Sequence, residues 1–425
     1  MIEIFIRPHS EEKHDIAAWF RSYSEPLHSD PYPFYNYLLE REPLYYITDR
    51  NQWLASRYED VNRILKSPVF VREYRNAVPP PPPSQELPKQ DPPPAPSVWK
   101  PVNDLLGNWM LFRDAPDHTR LRGQVSHAFT PRTMERLKPK IQAVADHLAK
   151  QLTEETKPDL IASYAFPLPV IVIAEMLGVP PEDRELFKGW SHTFARILEG
   201  GDRPPEFAQQ AAQAAVEITD YFRLLIAEHR KSPREDMISD LLAAQGQGGT
   251  LTEQELIATC VLLLVAGHET TVNLIGNAVL TLLSFPGQLA RLIAKPELIR
   301  PAVDEVLRYE GPVQMTGRLA SVDYEIGGQT IKRGQYVSVM LGAANRDPSQ
   351  FQQANRFDIG RTSNRHLAFA SGPHFCLGAP LARMEGEIAL GKLVEQFPGM
   401  SLADAKPDWR PNMLFRGLNT MHVEL

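Results

Sequence analysis

The sequence predicts a mainly α-helical fold with a smaller β-rich region, built as one domain over residues 1–425. Three observations carry this expectation. Apolar residues recur at helical spacing in several long stretches, strand-like alternation is confined to two places, and no repeat or linker divides the helices into independent units. A chain of 425 residues is long enough to bury a sizeable core. Apolar residues make up 43% and charged residues 23%, with a net charge of −7. That acidic balance disfavours nucleic acid, which selects strong positive patches.

In chain order, residues 43–58, PLYYITDRNQWLASRY, read as a hairpin about Asp49-Arg50-Asn51, and a helix over Glu59–Lys66 follows. Residues 78–101 carry eleven prolines, a density that forbids helix and sheet and favours extended polyproline II. Two readings of that segment stand: an adaptor-binding ligand, or a surface loop that packs back on its own protein. Trp99, Trp109 and Phe112 follow at once and favour the loop. Helical spacing continues over Asp117–Phe129, Pro131–Thr153, Glu206–Lys231, Thr252–Leu283 and Pro296–Tyr309. The second strand cluster is 318–341, with a Gly-Gly turn at 327–328. The start, MIEIFIRPHSEEKHD, lacks a signal-peptide apolar core. The most continuous apolar run, 257–267, is too short to span a bilayer. With Cys260 and Cys376 alone, a disulfide framework is not expected. The expectation is a cytoplasmic protein without a membrane anchor.

The segment FASGPHFCLGAPLAR (369–383) raises the chemical question. Pro380 suits the first turn of a helix, so Cys376 sits just upstream of a helix N-terminus, where partial positive charge favours a thiolate. Gly372 and Gly378 let the backbone turn tightly and let a large flat partner approach. Four readings compete. An inert buried cysteine leaves the glycines unexplained. A nucleophilic pair with His374 lacks a nearby orienting Asn or Asp. A zinc site has only His366 and His374 close by. A thiolate holding a haem iron satisfies every feature.

On these residues the loop resembles the haem-binding loop of the cytochrome P-450 monooxygenases, F-G-x-G-x-H-x-C-x-G. Phe369, Gly372, His374, Cys376 and Gly378 match, and Ala370 replaces the first glycine. The resemblance implies haem b (iron protoporphyrin IX), with Cys376 as axial ligand. VAGHETT (265–271) is alone an ordinary small-residue helix crossing, in which Thr270 can bond the Ala266 carbonyl one turn back. Gly267 there costs a helix about 1 kcal/mol, and the small residues leave room for a diatomic ligand. The segment resembles the family's A-G-x-x-T motif, which implies Glu269 and Thr270 as an acid–alcohol pair that helps deliver protons.

EVLR (305–308) alone is a minor surface ion pair. It resembles E-x-x-R, and ANRFD (354–358) adds Arg356, so that Glu305, Arg308 and Arg356 are implied as a buried structural triad. His118 and Arg122, four apart, resemble H-x-x-x-R; with Arg318 and His374 they are implied to grip the haem propionates. Leu262, Leu263, Ala266 and Val313 line an apolar distal pocket by the same likeness. The resemblance runs from about Trp53 to the end, including WRPNMLFRGLNT (409–420).

What it implies is the P-450 fold of the soluble bacterial class, a helical prism with a smaller β-rich region and haem between the long central helix and the Cys-bearing loop. The implied reaction inserts one atom of O2 into an apolar small molecule. No flavin or iron–sulfur motif is apparent, so electrons are expected from a ferredoxin-type partner with its reductase. That partner is expected near Arg120, Arg122, Arg361, Arg365 and Arg383. The alternatives are a peroxide-driven peroxygenase, whose family members lack the acid–alcohol pair kept here, and a non-catalytic haem sensor. The sensor needs a sixth ligand, for which His268 is the candidate on its helix, although helical geometry predicts that it points away.

Overall fold

The structure, a computed structural model, describes residues 25–78, 97–199, 204–245 and 251–425. The helices that build and surround the site are α1 Tyr32–Arg41, α2 Tyr58–Lys66, α3 Lys100–Leu106, α4 Asp117–Ser126, α5 Pro131–Leu152 and α6 Pro167–Leu177. They continue with α7 Arg184–Glu199, α8 Phe207–Lys231, α9 Glu253–Ser284, α10 Pro286–Ala294, α11 Ile299–Tyr309 and α12 Ala379–Gln396. The strands are β1 Leu44–Ile47, β2 Gln52–Ala55, β3 Phe70–Val71, β4 Thr316–Ala320, β5 Tyr324–Ile326, β6 Gln329–Ile331 and β7 Tyr336–Val339. Short strands β8 Ser401–Leu402, β9 Asp408–Trp409, β10 Leu418–Thr420 and β11 Val423–Glu424 follow near the C-terminus.

Both strand clusters expected from the sequence form, and they merge. The main sheet has the order β1-β2-β7-β4-β3. The β1–β2 hairpin turns at Asn51, whose φ of 49° is left-handed, a conformation asparagine tolerates better than most residues. Its second strand pairs parallel with β7, Gln52 opposite Tyr336. The sheet thus joins an early segment of the chain to one about 280 residues later. Gly327 and Gly328 close the β5–β6 hairpin.

Helix α9 organises the helical side. Thr252 and Glu255 form a reciprocal capping box at its start. Its 32 residues span about 48 Å. From Leu256 to Leu282 every residue is buried except Ala266, Gly267 and Thr270. Burying each Leu, Ile or Val contributes about 1.5–3 kcal/mol, so packing rather than propensity holds this helix. The helix begins one turn before the apolar run 257–267 and continues well past its end. Among the described residues it is the one helix long and apolar enough to cross a membrane, yet it is mostly buried inside the fold.

Residues 79–96 of the proline-rich segment lie outside the described residues, and with them most of that expectation. The aromatics that follow do pack back on the protein. Trp109 is fully buried, stacks 6.1 Å from Phe112, and lies 6.0 Å from Phe194 of α7. Trp99 reaches Phe207 of α8 at 6.2 Å.

Candidate functional site

The Cys376 loop is closed by its own backbone: Cys376 N donates to Phe369 O and Phe375 N to Gly372 O, each at 3.0 Å. Gly372 has a φ of +73°, and a Cβ there would stand 2.5 Å from the Leu65 carbonyl oxygen at the end of α2. Only glycine fits. Ala370 also sits in the left-handed region, at φ +56°. The Ala-for-Gly exchange is therefore a change in backbone strain, of about 1–2 kcal/mol, and not only in volume. Nothing lies within 4 Å of the position a Cβ would take at Gly378, which faces open space.

The half-buried Cys376 departs from the simple expectation of a thiolate at a helix start. Burial pushes its thiol up, and this outweighs the Gly378 and Ala379 amides and the Arg122 and Arg383 charges, all of which favour the thiolate. A bound metal ion would ionise it outright. Among the described residues no cluster of three His, Cys, Asp or Glu side chains could hold a bare metal ion, which removes the zinc reading. His366 is instead turned to Asp304, at 3.2 Å.

Four basic residues converge beside that loop. The His118 and His374 rings lie 4.1 Å apart. Burial and then Arg318, His118, Arg72 and Arg122 push His374 down to about 2. Arg318 is 3% exposed, and burial and then Arg72 lower it to about 9. Its guanidinium donates to the Gly317 carbonyl at 2.8 Å, and among the described residues neither it nor Arg122 has an ion-pair partner. The nearby Asp114 carboxylate is engaged by Arg72 N, Glu73 N and Asn76 Nδ2. A buried guanidinium without an ion-pair partner is costly, and the neutral imidazoles beside it can donate hydrogen bonds, so this set fits a ligand carrying carboxylates, as the two propionates of haem do.

The gap in the burial of α9 supplies the other wall. Thr270 Oγ1 donates to Ala266 O at 2.8 Å, as the sequence led us to expect. Ala266 and Thr270 open to space, with buried Leu262 and Leu263 one and two turns earlier on the helix. Val313 is half-buried and bridges to Phe415. Gly267 does not widen this opening: a Cβ there would make ordinary contact with Ile173 of α6, at 3.7 Å. Glu269 is buried and ion-paired with Arg410, which follows β9. His268 is turned away, its Nδ1 2.8 Å from Ser191 Oγ of α7, so it does not cap the site.

The triad differs from expectation in one member. Arg308 grips Glu305 with Nε and Nη2, both at 2.8 Å, and the two side chains are fully buried. The third member is Arg361, whose Nε reaches Glu305 Oε2 at 3.0 Å. Arg356 contributes its carbonyl oxygen, which accepts from Arg308 and Arg361, while its side chain bonds Gln353. Glu305 also accepts from Asp358 N, so the triad fastens the segment leading to Cys376. The docking expectation narrows in the same way. Arg361 is committed to Glu305, Arg383 to Asp304 at 2.8 Å, and Arg120 to Glu255, which leaves Arg365 exposed and Arg122 facing the Cys376 loop.

Sequence reasoning missed Arg410, Arg361, Arg72 and Ser191 as site neighbours. Arg410 lies inside a stretch that looked familial, but no spacing rule ties it to a glutamate on a distant helix.

A sequence profile described as Cytochrome P-450 matches residues 203–399. The polyketide biosynthesis cytochrome P-450 PksS of Bacillus subtilis is 39% identical over 415 residues, 96% of this chain and 98% of that protein. The structure of the P-450 BioI in complex with an acyl carrier protein bearing hexadec-9Z-enoic acid matches with a TM-score of 0.85 and 40% identity. The match covers 95% of this chain and 100% of that one. A myxobacterial P-450 solved with myristic acid matches with a TM-score of 0.83 and 39% identity, over 94% of this chain and 98% of that one.

Proposed function

The chain belongs to the cytochrome P-450 family, and from that footing we propose that it oxygenates the apolar chain of an acyl-type substrate, with electrons from a separate ferredoxin-type partner and its reductase. It is a monooxygenase with haem as cofactor. When bound, the haem supplies the activation of O2 by which one oxygen atom enters the substrate and the other becomes water. Cys376 would hold the iron, and His118, Arg122, Arg318 and His374 would hold the propionates. The observation that carries this reading is their convergence beside Cys376, with neither arginine ion-paired among the described residues.

The remaining residues act on protons and on the substrate. Thr270 Oγ1, its own proton given to Ala266 O, offers lone pairs to a water in the α9 opening. Glu269 is the adjacent acid, held by Arg410, through which that water's proton is replaced. Leu262, Leu263, Ala266 and Val313 line the distal wall and exclude bulk water from an apolar chain. The chain acts as one domain over 1–425, and the proline-rich insertion at 78–101 falls in the part of the sequence where the family has its substrate-facing loop, residues 79–96 of it lying outside the described residues. The retained Glu269–Thr270 pair favours the O2-dependent route over peroxide, and the orientation of His268 speaks against a capped sensor.

The acyl class is supported by the apolar wall together with the acyl ligands named for two of the related structures. Its test is titration of the ferric holoenzyme with saturated fatty acids and with the same acids as carrier-protein thioesters, following the low-to-high-spin change. Turnover under labelled dioxygen should then place one labelled atom on the acyl chain. No spin change and no labelled product from any acyl chain would end this assignment.

A further inference from the structure

One residue of α7, Ser191, meets the turn of α9 that carries Glu269 and Thr270. Ser191 Oγ lies 2.8 Å from His268 Nδ1, and both side chains are fully buried. His192, an exposed residue, follows at once, and its pKa is lowered by partial desolvation and then by Arg410, the residue that pairs with Glu269. The His268 imidazole is neutral, held down to about 3 by burial and then by Arg410. Its ring packs edge-on against Phe166 at 4.4 Å, and its Nε2 has no hydrogen-bond partner among the described residues. The Ser191 hydrogen bond, beside the Phe166 backbone contact that favours the imidazolium, fixes the rotation of this ring, and His268 directly precedes Glu269. The same α7 carries Phe194, against which Trp109 packs beyond the proline-rich segment.

We propose that Ser191 is a positioning residue for proton delivery, its hydrogen bond to His268 tying the Glu269–Thr270 turn of α9 to α7 and so to the segment after the proline-rich stretch. This rests on the reading of Glu269 and Thr270 as the proton-delivering pair. Loss of the hydroxyl removes the tie from His268 to α7 and lets the adjoining turn relax, while the apolar wall at Leu262 and Leu263 stays in place. A residue that only packed α7 on α9 would change stability or substrate affinity without changing how electrons are divided between product and peroxide.

The experiment compares holoenzyme as wild type, Ser191→Ala and Thr270→Val, with myristic acid as probe substrate. The readouts are its Kd from the spin change, product and hydrogen peroxide per reduced nicotinamide, and amide hydrogen exchange across 262–275. For Ser191→Ala the expected result is a Kd within about twofold of wild type and faster exchange at 266–271. The peroxide share should rise by about fivefold, the population equivalent of the about 1 kcal/mol of one neutral hydrogen bond. Wild-type exchange in Ser191→Ala, or a weakened Kd with an unchanged peroxide share, would overturn the proposal. If Thr270→Val itself divides electrons as wild type does, the acid–alcohol reading falls instead; the exchange measurement still decides whether Ser191 fixes the turn, since it needs no turnover.

Discussion

Gly372 and Ala370 stand two residues apart in the Cys376 loop, both left-handed, and should respond oppositely to exchange. Gly372→Ala adds a Cβ at φ +73°, which costs about 1–2 kcal/mol. That carbon would also lie 2.5 Å from the Leu65 carbonyl oxygen and 3.0 Å from Lys66 Cα, both backbone atoms that cannot rotate aside. Overpacking of this kind costs about 1–3 kcal/mol. The stiffer unfolded chain offsets about 0.4–1 kcal/mol. The sum is a destabilisation of about 2–4 kcal/mol. Ala370→Gly relieves about 1–2 kcal/mol of strain and gives back about 0.4–1 kcal/mol in unfolded-chain entropy, a net stabilisation of about 0–1.6 kcal/mol. Urea unfolding of the holoprotein, followed by tryptophan fluorescence and haem absorbance, measures both. Effects of the same sign, or a Gly372→Ala protein within about 0.5 kcal/mol of wild type, would refute the argument, because α2 would then be yielding to the new carbon.

Reduced Cys376→Ala protein with carbon monoxide should lose the red-shifted Soret band of a thiolate-bound haem; its persistence would place the axial ligand elsewhere. Arg361→Leu should destabilise by about 3–5 kcal/mol by leaving the Glu305–Arg308 pair short of a buried partner, whereas Arg356→Ala should stay within about 0.5 kcal/mol in the same urea titration. Gly267→Ala should be tolerated and stabilise by up to about 1 kcal/mol, with the substrate spin change intact, since the added carbon only touches Ile173. Burial raises the Glu385 carboxyl to about 8, with Thr271 opposing. The folded state then holds a proton that the unfolded state releases, so this contribution is full below about pH 4.5 and is lost as pH rises toward 8. Glu385→Gln should flatten that fall, which unfolding titrations at pH 5 to 8 would read.

Local motifs with a fixed backbone meaning were legible. The Cys376 loop, the Thr252 start of α9 and the Thr270–Ala266 bond follow from spacing and capping, which act over a few residues. What escaped the sequence was set by contacts between distant segments. Arg361 rather than Arg356 reaches Glu305 because of how the chain after Phe357 folds back on α11, and two arginines five apart look alike in a string of letters. The Arg410–Glu269 and Ser191–His268 contacts join elements far apart in sequence, with no periodicity to announce them. The strain at Ala370 was hidden for another reason: alanine for glycine adds only a methyl group, while the penalty lies in a dihedral angle.

The parallel pairing of β2 with β7 has a consequence for how the protein is made. Gln52 leaves the ribosome about 280 residues ahead of its partner Tyr336, a wait of roughly 15–60 s at ordinary elongation rates. Throughout it the β1–β2 hairpin has an open edge and the apolar faces of Trp53 and Leu54 uncovered, which invites pairing with a neighbouring nascent chain. Slow translation would prolong that exposure, so recombinant yield should depend on chaperone supply before the last fifth of synthesis more than on the stability of the finished fold.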